Sequence, residues 1–264
     1  DRTLRSDVTD IEQDTYKVLQ GRYATPYGST VSAFPAFFRE SSPGSKNFAV
    51  SRANMADRLV VRTNCDPSRQ LVGTTAMGLP ATSVFVGRTF CNYDTNQNLE
   101  GISKGQDGNV MTRGVIKLGQ NTRAFAEAAY ARTERRYTAS PISIGISSVT
   151  NFVSTGVGTP YQTILEVGHP DNPFPNARAS VQYRFENAGA GTQTINENTR
   201  LLAGLQGTVG TFDWETAVLW NEAQKEDTYF GRLHLPTLNK LNAGTSLAAL
   251  SADPTLFRST TSDD

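Results

Sequence analysis

No stretch of this sequence approaches the roughly 18 uncharged apolar residues that a membrane helix needs, because charge or glycine interrupts each hydrophobic run. A helical membrane protein is thereby excluded. A transmembrane barrel is not, since its strands need only about 9 to 11 residues that alternate apolar with polar. Net charge is missing too: 25 Lys and Arg balance 25 Asp and Glu, so no overall field gathers nucleic acid or an anionic surface. Cysteine is scarce, and Cys65 and Cys91 alone cannot build a four-thiolate zinc site. His169 and His234 lie in separate loop-like regions with no Glu or His at metal-ligand spacing, so no metal is expected. The glycines of STGVGTP and ENAGAGTQ lack the Gly-Lys-Ser/Thr ending and the strand-to-helix context of a phosphate loop. No Gly-x-Ser-x-Gly elbow and no paired carboxylates stand out. Neither catalysis nor a cofactor is expected.

The two ends are also bare. DRTLRSDVTD has no initiator Met and no apolar signal core, and the closing STTSDD does not read as a strand. Both look like cuts, which would place any signal peptide or further domain outside these 264 residues.

What is present favours β structure. Apolar residues make up only 38% of the chain, and Gly, Asn, Thr and Ser are plentiful, which suits short strands and long polar loops. Residues 1–108 hold no sustained period and are punctuated by TPYGS, ESSPGS, CDPS, GLPA and DGN. Their aromatics, Tyr23, Tyr27, Phe34, Phe37, Phe38, Phe85 and Phe90 among them, argue for a folded surface loop with short strands of its own.

From residue 109 the texture changes. NVMTRGVIKLGQ and TRAFAEAAYARTERRY alternate around the turn signal GQNT, giving an expected hairpin over 109–136. Residues 137–198 return to loop texture, with the proline cluster HPDNPFP at their centre. RLLAGLQGTV and FDWETAVLWNE then alternate around a turn near Gly210, giving a second hairpin over 199–228. Residues 229–264 read as the start of a further loop. Throughout both hairpins, one parity is apolar: Ile116, Leu118, Leu201, Leu205, Trp214, Val218 and Trp220. The other carries Arg113, Lys117, Glu127, Arg200, Gln206, Asp213, Glu215 and Asn221.

Such alternation suits any half-solvated antiparallel sheet, including a soluble sandwich whose core the tryptophans would fill. The connections favour a membrane. Within each hairpin the turn is a few residues, whereas roughly 60 separate the hairpins, and short turns at one end with long loops at the other is the layout of outer-membrane barrels. Trp214 and Trp220 stand about 20 Å apart along their strand, near the height of an apolar band edged by aromatic girdles. An Arg or Lys facing lipid at midplane would cost about 2 to 4 kcal/mol, so the charged parity is expected to face the lumen and the apolar parity the lipid.

Two runs then resemble a known family. CNYDTNQNLEGISKGQDGNVMTRGVIKLGQNTRAFAEAAYARTERRY is similar to a barrel segment of TonB-dependent outer-membrane receptors. There a Cys-x-Tyr-Asp element in an extracellular loop precedes a downward strand, a short periplasmic turn and an upward strand with a Phe-x-Glu core, here Phe125, Ala126 and Glu127. YRFENAGAGTQTINENTRLLAGLQGTVGTFDWETAVLWNEAQKEDTYFG resembles the next hairpin, with Arg-Leu-Leu-x-Gly-Leu-x-Gly and Trp-Glu-x-Ala spacing. The likeness spans roughly Cys91 to Gly231 and implies a wall fragment of a plugged barrel of about 22 strands. It further implies import of a scarce nutrient, such as a siderophore, vitamin or carbohydrate, across the bacterial outer membrane with energy from TonB. Plug, TonB-contact segment and aromatic-ended closing strand have no counterpart in these residues, so TonB would engage another part of the parent protein.

In an extracellular loop Cys65 and Cys91 are placed to form a disulfide, the alternative being two unlinked thiols. Tyr23, Tyr27, Phe34, Phe37, Phe38, Tyr93, Phe152, Tyr161, Phe174, Tyr183 and Phe185 crowd the loops, where they either stack on a flat ligand or pack the loops together. No one of them is singled out as ligand-binding. Two other classes fit parts of the pattern: a secreted or surface-attached all-β binding module of adhesin type, and, more weakly, a carbohydrate-active enzyme housed in the uninformative first hundred residues.

Overall fold

The computed structural model describes residues 2–4, 29–146, 149–152 and 158–263. Six short strands come first: β1 (Arg2–Leu4), β2 (Ala36–Arg39), β3 (Leu59–Val61), β4 (Gln70–Val72), β5 (Thr89–Cys91) and β6 (Leu99–Ile102). A long hairpin follows, β7 (Lys104–Lys117) and β8 (Thr122–Ala139). The next connection holds β9 (Ser143–Ile144), β10 (Val149–Phe152), β11 (Gly158–Tyr161) and β12 (Ala179–Arg184). A second, longer hairpin, β13 (Ala190–Val209) and β14 (Phe212–Leu233), leads through two helices, Leu235–Asn242 and Leu247–Ser251, to β15 (Phe257–Asp263). The fold is mainly β, its named strands pair antiparallel, and among the described residues no helix is long and apolar enough to cross a membrane.

Strands β15, β14, β13, β8 and β7 bond in that order into one five-stranded sheet, here called the wall. The β13–β14 ladder runs without a bulge from the pair Gly191–Phe230 to the pair Val209–Phe212. Its turn has two residues, and the first, Gly210, has φ +64°, the left-handed conformation that lets a tight turn follow the twist of the strands. In the first hairpin the Leu118 N–H donates to the Thr122 carbonyl at 3.0 Å and closes the turn. The wall is open. Strand β7 is one edge, and β15 covers only the part of β14 from Glu226 to Leu233.

The hairpins expected over 109–136 and 199–228 run further, to Lys104, Ala139, Ala190 and Leu233. The added runs KGQDG and AGTQTINEN are polar on both parities, so they carry no one-sided pattern. Pairing carried over from the neighbouring strand extends them. Residues 229–264, expected to begin a loop, instead hold the end of β14, both helices and β15. The closing run, read as strandless, forms a strand because its Thr and Ser residues pair onto the upper edge of β14 despite lacking alternation.

The long connections fold together into a head. Its four-stranded sheet, β3-β2-β12-β9, is buried on both faces. Phe37, Ala179 and Val181 point into one core with Leu238, Leu241, Leu247, Leu250 and Leu256, so the two helices cover that face. Ala36 and Phe38, of opposite parity, point into a second core with Phe48, Leu59, Leu79, Phe85 and Phe90. The helices were not legible as such, being eight and five residues long. Their signals are nonetheless ordinary: Pro236 in the first turn of one, and Ser246 capping the other by accepting from the Ala249 N–H at 3.2 Å.

Candidate membrane-facing wall

Directly paired residues in an antiparallel ladder share a face, so the register reads off each face of the wall row by row. One face has the rows Ile116, Ala124, Leu205, Thr216; Gly114, Ala126, Ala203, Val218; and Thr112, Ala128, Leu201, Trp220. Below these come Gly207 with Trp214, and Val209 with Phe212, while Leu118 lies just past the end of β7. The seven apolar residues singled out by parity therefore lie along one surface. From Phe212 to Trp220, a span of nine residues on β14, this face has no charged side chain. Its large side chains are open, Phe212 at 78%, Val218 at 77% and Ile116 at 68% exposure. Charge begins immediately above, with Glu222 in the row of Val110, Tyr130 and Thr199, and Arg132 and Glu197 in the next row. Arg132 and Glu197 are 3.5 Å apart, and the Tyr130 hydroxyl donates to Glu197 at 3.0 Å.

The opposite face carries Lys117, Arg123, Gln206 and Glu215 in one row. Arg113, Glu127, Leu202 and Leu219 form another, Met111, Ala129, Arg200 and Asn221 a third, and Asp213 pairs with Thr208 near the turn. All eight polar residues expected together are on this side. Arg113 Nε sits 3.3 Å from Glu127, and its guanidinium lies 5.9 Å from the centre of the Phe125 ring. This face is less uniformly polar than parity alone suggests, since Met111, Val115 and Leu219 are exposed on it beside the charges.

Phe125 shows how the sequence shapes this face locally. It is buried, although its strand has solvent-accessible sides, because its ring lies over Gly204 directly across the ladder. A side chain at Gly204 would place Cβ 2.5 Å from both Phe125 Cζ and the Thr216 carbonyl oxygen. Glycine is required there by contact.

The short turns close one end of the wall, and the head closes the other. Arg184 ties the head's segments together: Nε donates to the Val31 carbonyl at 2.9 Å, Nη1 donates to the Pro141 carbonyl at 2.7 Å, and the guanidinium lies 4.7 Å from the centre of the Tyr93 ring. Glu186 accepts from the Ala33 N–H and from Arg69, both at 2.7 Å. Glu40 accepts from Arg178 Nε at 3.2 Å and Nη2 at 2.9 Å, and from the Gly44 N–H at 3.0 Å. Burial tends to raise the Glu40 pKa, but the hydrogen bonds and charge of Arg178 outweigh it and hold the carboxyl below its ordinary value. Cys65 and Cys91 are joined in a disulfide.

Most of the loop aromatics are spent on packing. Phe37, Phe38, Phe85, Phe90, Tyr93, Tyr161 and Phe185 are buried, Phe174 and Tyr183 are half-buried against the core, and half-buried Phe34 lies under Arg69. Tyr23, Tyr27 and the side chain of Phe152 lie outside the described residues, as does most of STGVGTP. His169 is buried, with Nδ1 accepting from the Asp171 N–H at 3.1 Å and Nε2 bonded to the Leu241 carbonyl at 2.9 Å. Among the described residues no three metal-ligating side chains converge. The polar ties of the head escaped sequence reasoning because they are not local: Glu40 and Arg178 are 138 residues apart, and Val31 and Arg184 are 153 apart. Comparison with protein families and with curated proteins finds no match to this chain.

Proposed function

We propose that this chain forms part of the transmembrane wall and outer cap of a TonB-dependent receptor that imports a scarce nutrient across the bacterial outer membrane. The observation that carries this reading is the uncharged, exposed band from Phe212 to Trp220, continuous across four strands and set back to back with a face rich in charge. Nine residues match the span of a tilted membrane strand, and an open apolar face of this extent on a folded sheet calls for a nonaqueous neighbour. The apolar face is assigned to lipid and the charged face to the lumen, because reversing them would set Arg113, Lys117, Glu127 and Arg200 in hydrocarbon at about 2 to 4 kcal/mol for each Arg or Lys near midplane. The open edges of β7 and lower β14 call for neighbouring strands, since unpaired backbone is intolerable in lipid. In this reading the head faces outward and meets the ligand, while TonB acts on a part of the receptor outside this chain. A siderophore, vitamin or carbohydrate is the expected class of cargo.

Spin labels at Ile116, Leu205 and Val218 of the full-length protein in bilayers test the assignment. Accessibility to lipid-soluble oxygen is expected at all three, with labels at Arg200 and Asn221 reporting an aqueous setting. Water at the first three positions would instead favour a secreted all-β binding module, a reading to which the folded, disulfide-linked head also lends itself.

A further inference from the structure

The charged face of the wall changes character between the row of Arg200 and the head. Reading upward, its rows are Asn109, Ala131, Asn198 and Ala223; then Asp107, Thr133, Asn196 and Lys225; then Gly105, Arg135, Thr194 and Asp227. The four charged side chains in these rows are paired among themselves: Arg135 lies 2.6 Å from Asp107, and Lys225 lies 2.6 Å from Asp227. Asp227 also accepts from the Thr194 hydroxyl at 2.6 Å. The strip therefore carries no net charge and no uncompensated ion. Its amides are in the opposite condition. Asn109, Asn196 and Asn198, with Asn221 in the row below, are exposed, and among the described residues their side chains hydrogen-bond to nothing. Each offers two N–H donors and one acceptor oxygen. Asn196 and Asn198 stand about 6.6 Å apart along β13, and Asn109 lies about 10 Å across from Asn198 with only Ala131 between them. Ala131 and Ala223, on either side of Asn198, keep the floor low and apolar. At the top of the strip, Tyr137 and Tyr229 flank Thr192, and Tyr137 is exposed.

We propose that this strip binds a neutral oligosaccharide, with the amides bonding its hydroxyls, the alanines receiving the C–H faces of its rings and Tyr137 stacking on it beneath the head. The proposal rests on the reading of this face as a lumen and narrows the cargo of that reading to one class. Sugar hydroxyls donate and accept, as amides do, so each free Asn can serve neighbouring hydroxyls of one ring. The low alanines let a ring settle between the amides, and an aromatic face suits the apolar side of a sugar. An anionic siderophore requires a cation free to meet it, and in this strip Arg135 and Lys225 are each already held by a carboxylate.

The test applies the purified full-length protein, in a detergent without a sugar head group, to a printed array of neutral oligosaccharides and their uronic-acid counterparts. Saturable binding to at least one neutral oligosaccharide is expected, at least tenfold tighter than to its acidic counterpart. Asn196→Ala combined with Asn198→Ala should weaken that binding at least tenfold. Both residues are exposed and their side chains hold nothing else in place, so the double variant keeps its fold. Thr199→Ala, adjacent in sequence but on the other face of β13, should leave binding unchanged. Binding to no neutral oligosaccharide, equal or tighter binding of the acidic ones, or full binding by the double variant would overturn the proposal. Any of these results, with the wall spin labels reporting lipid, removes the saccharide site and leaves the importer. Water at those labels, with sugar binding retained, removes the importer and leaves the saccharide site.

Discussion

At the scale of single residues, stability rests on contacts between distant parts of the chain. Glu40 is the clearest case. Its carboxyl is held below its ordinary value in the folded state, so folding favours the ionised form. The stabilisation is complete above the unfolded pKa and is lost as pH falls through the lower folded one. Acid is therefore expected to loosen the link between β2 and β12, and Glu40→Gln should flatten that part of the pH dependence. At neutral pH Glu40→Ala leaves Arg178 largely buried without its main partner and should cost about 3 kcal/mol in denaturant melts. The disulfide contributes separately. Closing a loop across the 26-residue separation of Cys65 and Cys91 is worth about 3.5 kcal/mol in the chain-entropy estimate, so reductant or Cys65→Ser with Cys91→Ser should lower the head's urea midpoint accordingly. Gly204→Val tests the wall: its side chain meets Phe125 and the Thr216 carbonyl, and a loss of about 1 to 3 kcal/mol is expected, partly recovered by Phe125→Ala.

At the scale of elements, adjacent residues on one strand should behave oppositely. Val218 lies on the uncharged face and Leu219 on the charged one, both exposed and both apolar. In the proposed membrane setting Val218→Arg should cost about 2 to 4 kcal/mol in bilayer folding titrations, while Leu219→Arg should change stability little. Equal effects would remove the distinction between lipid and lumen. The two faces were legible from parity, because Trp214, Val218 and Trp220 alternate with Asp213, Glu215 and Asn221, although Ala217 and Leu219 interrupt the polar side. The upper strands were not. In KGQDG and AGTQTINEN polarity falls on both parities, and only pairing with a neighbour makes them strands. Strand β15 was hidden for the same reason: its Ser and Thr residues have no apolar side to betray a face. The head was illegible as a fold because Phe37 and Phe38 serve different cores, and the residues that complete each core come from distant loops.

At the scale of the whole molecule, the wall and the head make opposite demands on their surroundings. The head buries its apolar residues in two cores and ties its segments by Arg184, Glu186 and the Cys65–Cys91 link, so water suits it. The wall exposes Val110, Ile116, Val218 and Phe212, and among the described strands β7 is its edge. An edge of fourteen residues with no bulge is a template for another strand. These 264 residues expressed alone should therefore associate through β7 and the uncovered part of β14. In detergent-free buffer, light scattering is expected to show oligomers or aggregates that Val110→Pro, placed on the β7 edge, diminishes without altering the head. A monodisperse monomer would instead mean that the apolar band is compatible with water, and would shift the balance from an importer wall to a secreted binding module.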